Sequence, residues 1–249
     1  SSFDSAEIRH YKNFLRSRLG DSACIKSASL SSSHFGDYLD SLTVHPFDQI
    51  DEVCNSISND PAFANGYNAV GLSQGGLFVR GLAQTCPYPR MLNLISLAGP
   101  QQGVFQFPRC KDTFWILCGA VQWVVEAAAY WPITQKLVAP LTYWHDPNKE
   151  KYQKSSTFLP IINNEVDYNE NYVRNLKNLE KIVLVRYESD KAIVPKTSPW
   201  FGFFDSSGTE FPMEETEIYK KDSLGLKQLK EDGKLVFLEA PRDHLDLDE

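Results

Sequence analysis

The segment Gly71-Leu72-Ser73-Gln74-Gly75 constrains the fold more than any other part of the chain. It follows a short apolar stretch, residues 67–70, and precedes a stretch with helical character that continues to about Cys86. A G-x-S-x-G segment in that setting is typical of a tight strand-to-helix turn, where larger flanking side chains would collide. Such a turn presents the Ser73 hydroxyl at the carboxyl edge of a sheet and leaves the backbone amide of Gln74 as an oxyanion donor. The pattern therefore predicts a serine nucleophile.

The rest of the chain alternates between apolar runs and helical patterns. Continuous apolar runs at residues 92–97, 182–187 and 235–238 are typical of strands buried on both faces of a parallel sheet. Apolar residues at helical spacing predict helices over residues 6–18 and 47–58, and a short strand is predicted at 24–28. This alternation favours an α/β fold with a mostly parallel central sheet flanked by helices.

Residues 98–181 separate the predicted strands at 92–97 and 182–187, which is far more chain than one crossover needs. The stretch 114–131 is aromatic and apolar, but Gln122 and Glu126 lie on one face of it, so it predicts an amphipathic helix that does not span a membrane. A second helix is predicted near 133–141. Because no Pro/Gly/Ser-rich linker isolates this region, residues 104–170 are predicted to be a helical insertion within a single domain, residues 1–249.

A serine nucleophile needs a histidine base and an acid that orients it. In hydrolases of this architecture the order along the chain is serine, acid, histidine, and of the 5 histidines only His145 and His244 follow Ser73. His244 comes just after the last apolar strand and is favoured over His145, which is read as a structural residue of the insertion. The acid should follow the strand at 182–187, where Asp190 is preferred and Glu188 remains an alternative.

Charge and cysteine content exclude several other classes of protein. The formal net charge is −7, which argues against nucleic acid as a partner. The 5 cysteines form no C-x-x-C pair and no Cys/His spacing suited to zinc, so neither a metal nor another cofactor is expected. Cys110 and Cys118 are close enough in sequence to form a local disulfide, and an odd number of cysteines leaves at least one thiol free.

Several longer blocks carry a more specific signal than the serine motif. The blocks YNAVGLSQGGLFVRGLAQTCP, NLISLAGPQQGVFQFPRC, YWHDPNKEKY, WFGFF and DHLDL closely resemble the palmitoyl-protein thioesterases, from about residue 50 to residue 249. The resemblance implies an α/β-hydrolase fold and a thioesterase that removes long-chain acyl groups through an acyl-serine intermediate. It implies Ser73 as nucleophile, Asp190 as acid and His244 as base.

The resemblance also implies disulfides Cys54–Cys86 and Cys110–Cys118, with Cys24 free. The substrates implied are S-acylated proteins or peptides and long-chain acyl-CoA, and the location implied is the lysosome, the vacuole or the cell exterior. An acyl chain gains about 0.8 kcal/mol for each methylene that it buries, so it needs an apolar groove. The insertion is the expected place for that groove, with Trp123, Leu137 and Leu141 as candidate contacts. A monomer is favoured.

The chain also departs from the pattern of that family. It has no His-Gly pair, which in these enzymes marks the loop that supplies a second oxyanion amide, and it has no N-x-S/T sequon. It begins at Ser1 without a methionine, which predicts a processed or truncated product that lacks the strand before that loop. Two alternatives therefore stay open: a lipase or carboxylesterase that acts on oxygen esters, and a catalytically weak member that binds acyl chains.

Overall fold

A computed structural model describes residues 6–28, 34–105, 127–205 and 207–246. The helices in these ranges are α1 (Ala6–Leu19), α2 (His34–Thr43), α3 (Pro46–Ser58), α4 (Gln74–Thr85), α5 (Pro132–Leu137), α6 (Lys149–Ser155), α7 (Leu159–Ile162), α8 (Glu170–Lys177), α9 (Glu217–Lys220) and α10 (Leu226–Glu231). The strands are β1 (Tyr67–Leu72), β2 (Met91–Leu97), β3 (Lys181–Tyr187), β4 (Phe203–Phe204), β5 (Glu210–Phe211) and β6 (Leu235–Ala240). Short 3₁₀ helices span Pro61–Phe63, Ala139–Tyr143, Ser198–Trp200 and Met213–Glu215.

Four of these strands form a parallel sheet in the order β1-β2-β3-β6, and β4 and β5 form a separate antiparallel pair. Leu72 lies opposite Leu97, and Tyr187 lies opposite Ala240, so the carboxyl ends of the strands meet at one edge. Loops that leave this edge carry ligand and catalytic groups in open α/β sheets. The loops after β1, β3 and β6 are therefore brought together by the strand register.

The central strands β2 and β3 are buried or half-buried along their length apart from Lys181, as their continuous apolar sequences predict, whereas β6 leaves Leu238 exposed. Leu94 in β2 and Leu184 in β3 are each 1% exposed, and they share one core with Leu77 of α4 and Ile50 of α3. Side chains from α6 and α7, Tyr152 and Ile162 among them, belong to the same core. The described part of the region 104–170 therefore packs onto the sheet; that it is an insertion within one domain stays a prediction.

The disulfide between Cys54 and Cys86 joins α3 to the residue that ends α4. The family resemblance predicted this pair, and the structure confirms it. The bond closes 32 residues of chain, which stabilises the fold by roughly 3–4 kcal/mol on a chain-entropy estimate. Cys24 is free and exposed, as expected. Cys110 and Cys118 lie outside the described residues.

The structure differs from two of the predicted elements, and a third lies mostly outside the described residues. The predicted strand at 24–28 is wrong, because these residues pair with no strand in the described ranges. The helix predicted near 133–141 is divided: α5 ends at Leu137, where Val138 has φ −131° and ψ 89°, and a 3₁₀ helix follows with Pro140 in its first turn. In a continuous α-helix the amide of residue 140 would donate to the carbonyl of Lys136, and a proline has no amide hydrogen, which explains the break. The amphipathic helix predicted at 114–131 falls mostly outside the described residues.

Among the helices that the structure describes, none has the length and apolar character required to cross a bilayer.

Candidate active site

Ser73 lies on the turn between β1 and α4, as the sequence motif predicts. Its backbone has φ 53° and ψ −125°, a conformation that costs energy for any residue with a Cβ and recurs at functional turns. Its amide donates to the carbonyl of Leu97 at 2.8 Å, which fixes the turn to the end of the neighbouring strand. A methyl group at Gly71 would overlap the Gly75 carbonyl, so this glycine is required by the turn.

The second glycine that the turn needs is not the one that the motif indicates. A Cβ at Gly75 would meet nothing within 4 Å, whereas one at Gly76 would overlap Ser96 Oγ and lie 2.7 Å from the Gly99 Cα. The first turn of α4 therefore packs against the backbone that follows β2. The motif predicts that a side chain at either of its glycines would collide with its surroundings. This is right for Gly71 and wrong for Gly75, and the residue that has no room for a side chain is Gly76.

A continuous series of hydrogen bonds connects Ser73 to two other loops at the carboxyl edge of the sheet. Nε2 of His244 lies 3.0 Å from Ser73 Oγ, and Nδ1 of His244 lies 2.8 Å from Asp190 Oδ2. A carboxylate accepts only, so Nδ1 carries a proton and Nε2 is left to accept the hydrogen bond of the serine hydroxyl. This geometry allows the imidazole to act as a general base toward Ser73.

Asp190 is held in place from both of its oxygens. It is 2% exposed, and Oδ1 accepts from the amides of Ala192 at 2.7 Å and Ile193 at 3.0 Å. These two donors fix the orientation of the carboxyl group, so that Oδ2 points to His244. A side chain held in this way can orient the imidazole.

The alternative acid and the alternative base lie elsewhere. The side chain of Glu188 is exposed, and its backbone amide donates to the carbonyl of Ala240. His145 stacks between the rings of Tyr152 and Phe203, with centroids 3.8 and 3.9 Å away, and its Nδ1 is 2.6 Å from the Gln102 carbonyl. Burial lowers the pKa of His145 to about 4, so the ring is neutral near pH 7. It has the structural role that the sequence indicated.

Gln74 is the first residue of α4, so the helix provides no acceptor for its amide. The amide is adjacent to Ser73 and at the positive end of the helix dipole, which suits a developing oxyanion. The side chain of Gln74 is fixed on both sides. Nε2 donates to the Ser41 carbonyl at 2.9 Å, and Oε1 accepts from the Tyr143 hydroxyl at 3.3 Å.

The three candidate acyl contacts have different surroundings. Leu137, on α5, is 48% exposed, whereas Leu141 is 7% exposed and packs in a small cluster with Ala129 and Trp144. Trp123 lies outside the described residues. Across the described ranges, no group of three His, Cys, Asp or Glu side chains has the arrangement to hold a metal ion.

The sequence patterns did not identify the polar cluster behind the nucleophile helix. Arg80 of α4 is 3% exposed, and burial lowers its pKa to about 9. Its guanidinium donates to the side chains and carbonyls of residues from α4, the loop after β2 and the region around α7: Gln84 Oε1, Gln101 Oε1 and O, Asn163 Oδ1 and Ile162 O. Removing one partner would leave a buried charge or carbonyl unpaired, so this cluster fixes α4 in position.

Glu165 is the acidic member of this cluster and the basis of a pH prediction. Its Oε2 accepts from the Tyr152 hydroxyl at 2.6 Å and from Asn163 Nδ2 at 3.2 Å. Burial raises the pKa of Glu165 to about 7, although these hydrogen bonds and the charges of Arg80 and Lys149 oppose the rise. A raised carboxyl pKa means that the folded protein binds this proton more tightly than the unfolded chain, so stability falls as the pH rises from about 4.5 to about 7.

We expect Glu165→Gln to remove this part of the pH dependence. The amide keeps an acceptor for Tyr152 and carries no charge at any pH. As the pH is raised from 5 to 8, the free energy of unfolding of the variant should therefore increase by about 1–3 kcal/mol relative to that of the parent. Denaturant unfolding at both pH values measures the difference. Glu170→Gln, an exposed change in the first turn of α8, is the control. Identical pH slopes for Glu165→Gln and the parent would contradict the prediction.

The parallel sheet, the positive-φ serine between β1 and α4 and the histidine loop after β6 define an α/β-hydrolase. The sequence model of the family described as palmitoyl protein thioesterase matches residues 1–244. The chain belongs to the palmitoyl protein thioesterase family.

Individual relatives agree with this assignment. Palmitoyl-protein thioesterase 1 of Caenorhabditis elegans is 47% identical over 197 residues, which cover 78% of this chain and 66% of that protein. Palmitoyl-protein thioesterase 3 of Dictyostelium discoideum is 38% identical over 80% of this chain and 68% of its own. Lysosomal thioesterase PPT2 of Mus musculus is 32% identical over 69% of this chain and 57% of its own. The chain thus spans about two thirds or less of the length of the nematode and mouse relatives.

A solved thioesterase domain from the curacin biosynthetic pathway superposes with a TM-score of 0.34 at 12% identity, covering 80% of this chain and 68% of that domain. A score this low adds nothing to the fold class, which rests on strand order, register and the family match.

Proposed function

We propose that this protein is a serine thioesterase that removes long-chain acyl groups, palmitoyl among them, from cysteine side chains of proteins and peptides and from acyl-CoA. The observation that carries the proposal is the hydrogen-bonded series from Ser73 Oγ through His244 to Asp190. Membership of the palmitoyl protein thioesterase family supports the substrate class.

The reaction has two acyl-transfer steps. His244 Nε2 takes the proton of Ser73 as Oγ attacks the thioester carbonyl carbon, and the Gln74 amide donates to the oxyanion that forms. The carbon–sulfur bond then breaks, the sulfur takes the proton from His244 and leaves as a thiol, and the acyl group stays on Ser73. In the second step the neutral His244 accepts a proton from the water that attacks this ester. It then gives that proton to Ser73 Oγ as the carbon–oxygen bond breaks and the fatty acid leaves. Asp190 orients the imidazole in both steps and stabilises its charged form.

The apolar surface of α5 supports a place for the acyl chain. Trp131, which precedes α5, and Ile133 and Leu137 within it are 58%, 57% and 48% exposed, which is unusual for side chains of this size so close together. Each methylene that an acyl chain buries there gains about 0.8 kcal/mol. Leu137 is therefore better placed to contact the acyl chain than Leu141, which is buried in a small apolar cluster.

We place the activity in the lysosome, the vacuole or the cell exterior. Mouse, rat and bovine relatives have the name lysosomal thioesterase. The Cys54–Cys86 disulfide fits an oxidising compartment, and the raised pKa of Glu165 stabilises the folded protein in acid.

A pair of matched peptides tests this function. One peptide carries S-palmitoyl cysteine and the other, of the same sequence, carries O-palmitoyl serine, so the acyl chain and the surrounding residues are identical. We expect release of palmitate from the thioester with a kcat/KM at least about tenfold above that for the ester, since a thiolate leaves more readily than an alkoxide.

Other outcomes distinguish the remaining functions. Faster release from the ester would assign the protein as a lipase or carboxylesterase. Binding of palmitate without turnover of either peptide would assign it as an acyl-binding protein. An octanoyl thioester of the same cysteine peptide measures chain-length preference, and a lower KM for palmitoyl would support the apolar groove.

A further inference from the structure

The side chain of Gln74 connects three elements that meet at the nucleophile. Gln74 itself begins α4, Nε2 donates to the Ser41 carbonyl in the last turn of α2, and Oε1 accepts from the hydroxyl of Tyr143. Tyr143 ends the 3₁₀ helix Ala139–Tyr143, in the region between β2 and β3. Gln74 and Tyr143 also line a small, partly open pocket with Leu77 and Phe158, so apolar side chains flank the contact. A hydrogen bond that is partly shielded from water is stronger than one in bulk water.

Tyr143 is itself firmly held. It is 9% exposed, and its backbone carbonyl accepts from the amide of Val104 at 3.1 Å, which ties it to the loop after β2. Burial raises the pKa of the Tyr143 phenol, so the hydroxyl keeps its proton and remains a donor to Gln74. A fixed donor of this kind restricts the rotamers that Gln74 can adopt.

The amide next to the nucleophile needs this support. The peptide plane between Ser73 and Gln74 has its orientation set by the ψ of Ser73, −125°, which accompanies the strained φ of 53°. Strained backbone persists only where the surroundings hold it on both sides. Before this peptide, the Ser73 amide is fixed by its hydrogen bond to the Leu97 carbonyl. After it, the Gln74 side chain is fixed by its two hydrogen-bond partners.

We propose that Tyr143 is a positioning residue. It holds the side-chain carboxamide of Gln74, and through it the backbone N–H of Gln74 that donates to the oxyanion. The proposal rests on the proposed thioesterase function. It connects the region expected to bind the acyl chain with the group that stabilises the reacting carbonyl. Because the amide is needed when charge develops and the acyl chain binds elsewhere, loss of the Tyr143 hydroxyl should lower kcat and leave KM unchanged.

Tyr143→Phe removes the hydroxyl and keeps the ring. A neutral hydrogen bond has a net value of about 0.5–1.5 kcal/mol, so we expect kcat for the palmitoyl-cysteine peptide to fall about 3- to 10-fold, with KM within about twofold of the parent. Tyr130→Phe is the matched control. Its hydroxyl also bonds within the same region, donating to the Trp144 carbonyl at 2.9 Å and accepting from the Asp146 amide at 3.0 Å. We expect this control to leave kcat within about twofold.

A double-mutant cycle tests whether Tyr143 acts through Gln74. Gln74→Met keeps the length of the side chain and removes both of its polar atoms, so it should lower kcat by at least as much as Tyr143→Phe. Adding Tyr143→Phe to Gln74→Met should then lower kcat no further. Thermal unfolding of every variant confirms that the comparison is made on folded protein.

Three results would overturn the proposal: an unchanged kcat in Tyr143→Phe, an equal fall in Tyr130→Phe, or additive losses in the double variant. If the unchanged kcat came with a higher KM, Tyr143 would be an acyl-binding residue. The parent protein is measured first on the same peptide. A parent without hydrolysis would defeat the proposed function, whereas an active parent that is insensitive to Tyr143→Phe would defeat only this inference.

Discussion

Replacing Ser73 by alanine is expected to lower kcat for palmitoyl thioester hydrolysis by at least about 10⁴-fold. The variant loses the atom that attacks the carbonyl, while His244 and the Gln74 amide remain to provide a small residual rate. The fold should not change, because the turn is fixed by backbone bonds: the Ser73 amide donates to Leu97, and the Ser73 carbonyl accepts from Gly76. Single-turnover assays on the S-palmitoyl peptide measure the loss, and binding of palmitate should persist.

The control is another serine at the same edge of the sheet. Ser189 is exposed and contributes its backbone amide to the Arg242 carbonyl, so Ser189→Ala should retain activity within about twofold. If Ser73→Ala kept more than about a tenth of the parental kcat, another residue would have to be the nucleophile.

The replacement Asp190→Asn is expected to lower kcat by about 10⁴-fold through the tautomer of His244. The side-chain oxygen of the asparagine must face the amides of Ala192 and Ile193, because both of these are donors. Its NH₂ group then faces Nδ1 of His244. A donor in that position forces the imidazole proton onto Nε2. This nitrogen can then no longer accept the hydrogen bond from Ser73.

Glu188→Gln is the matched test of the other carboxylate in the same loop. Its side chain is exposed, so we expect kcat and KM within about twofold of the parent. Both variants remove one negative charge from the loop after β3, so a general change of electrostatic potential would affect them alike. A large loss in Glu188→Gln together with a small one in Asp190→Asn would reverse the assignment of the acid.

The strands and the serine turn could be predicted because they depend on local sequence. The apolar runs that became β2 and β3 are continuous, as burial on both faces requires. The run that became β6 is also continuous, although its Leu238 is exposed. The predicted strand at 24–28 is wrong because local sequence alone does not make a strand. A strand is stabilised by its neighbours, and these residues pair with none in the described part of the chain. The motif also indicated Gly75, whereas the packing of α4 against Gly99 makes Gly76 the constrained residue.

By itself, the sequence determined the strand-to-helix turn at Ser73, the alternation of strands and helices, and a short set of candidate acids and bases. Only the tertiary structure brought Asp190 and His244 to Ser73, left Glu188 in solvent and enclosed His145 between two rings. It also assembled the Arg80 cluster and the Tyr143–Gln74 contact. The physical reason is distance along the chain. Helix and strand periodicity depends on near neighbours, but Ser73 and His244 are 171 residues apart, and only the register of the sheet sets their separation in space.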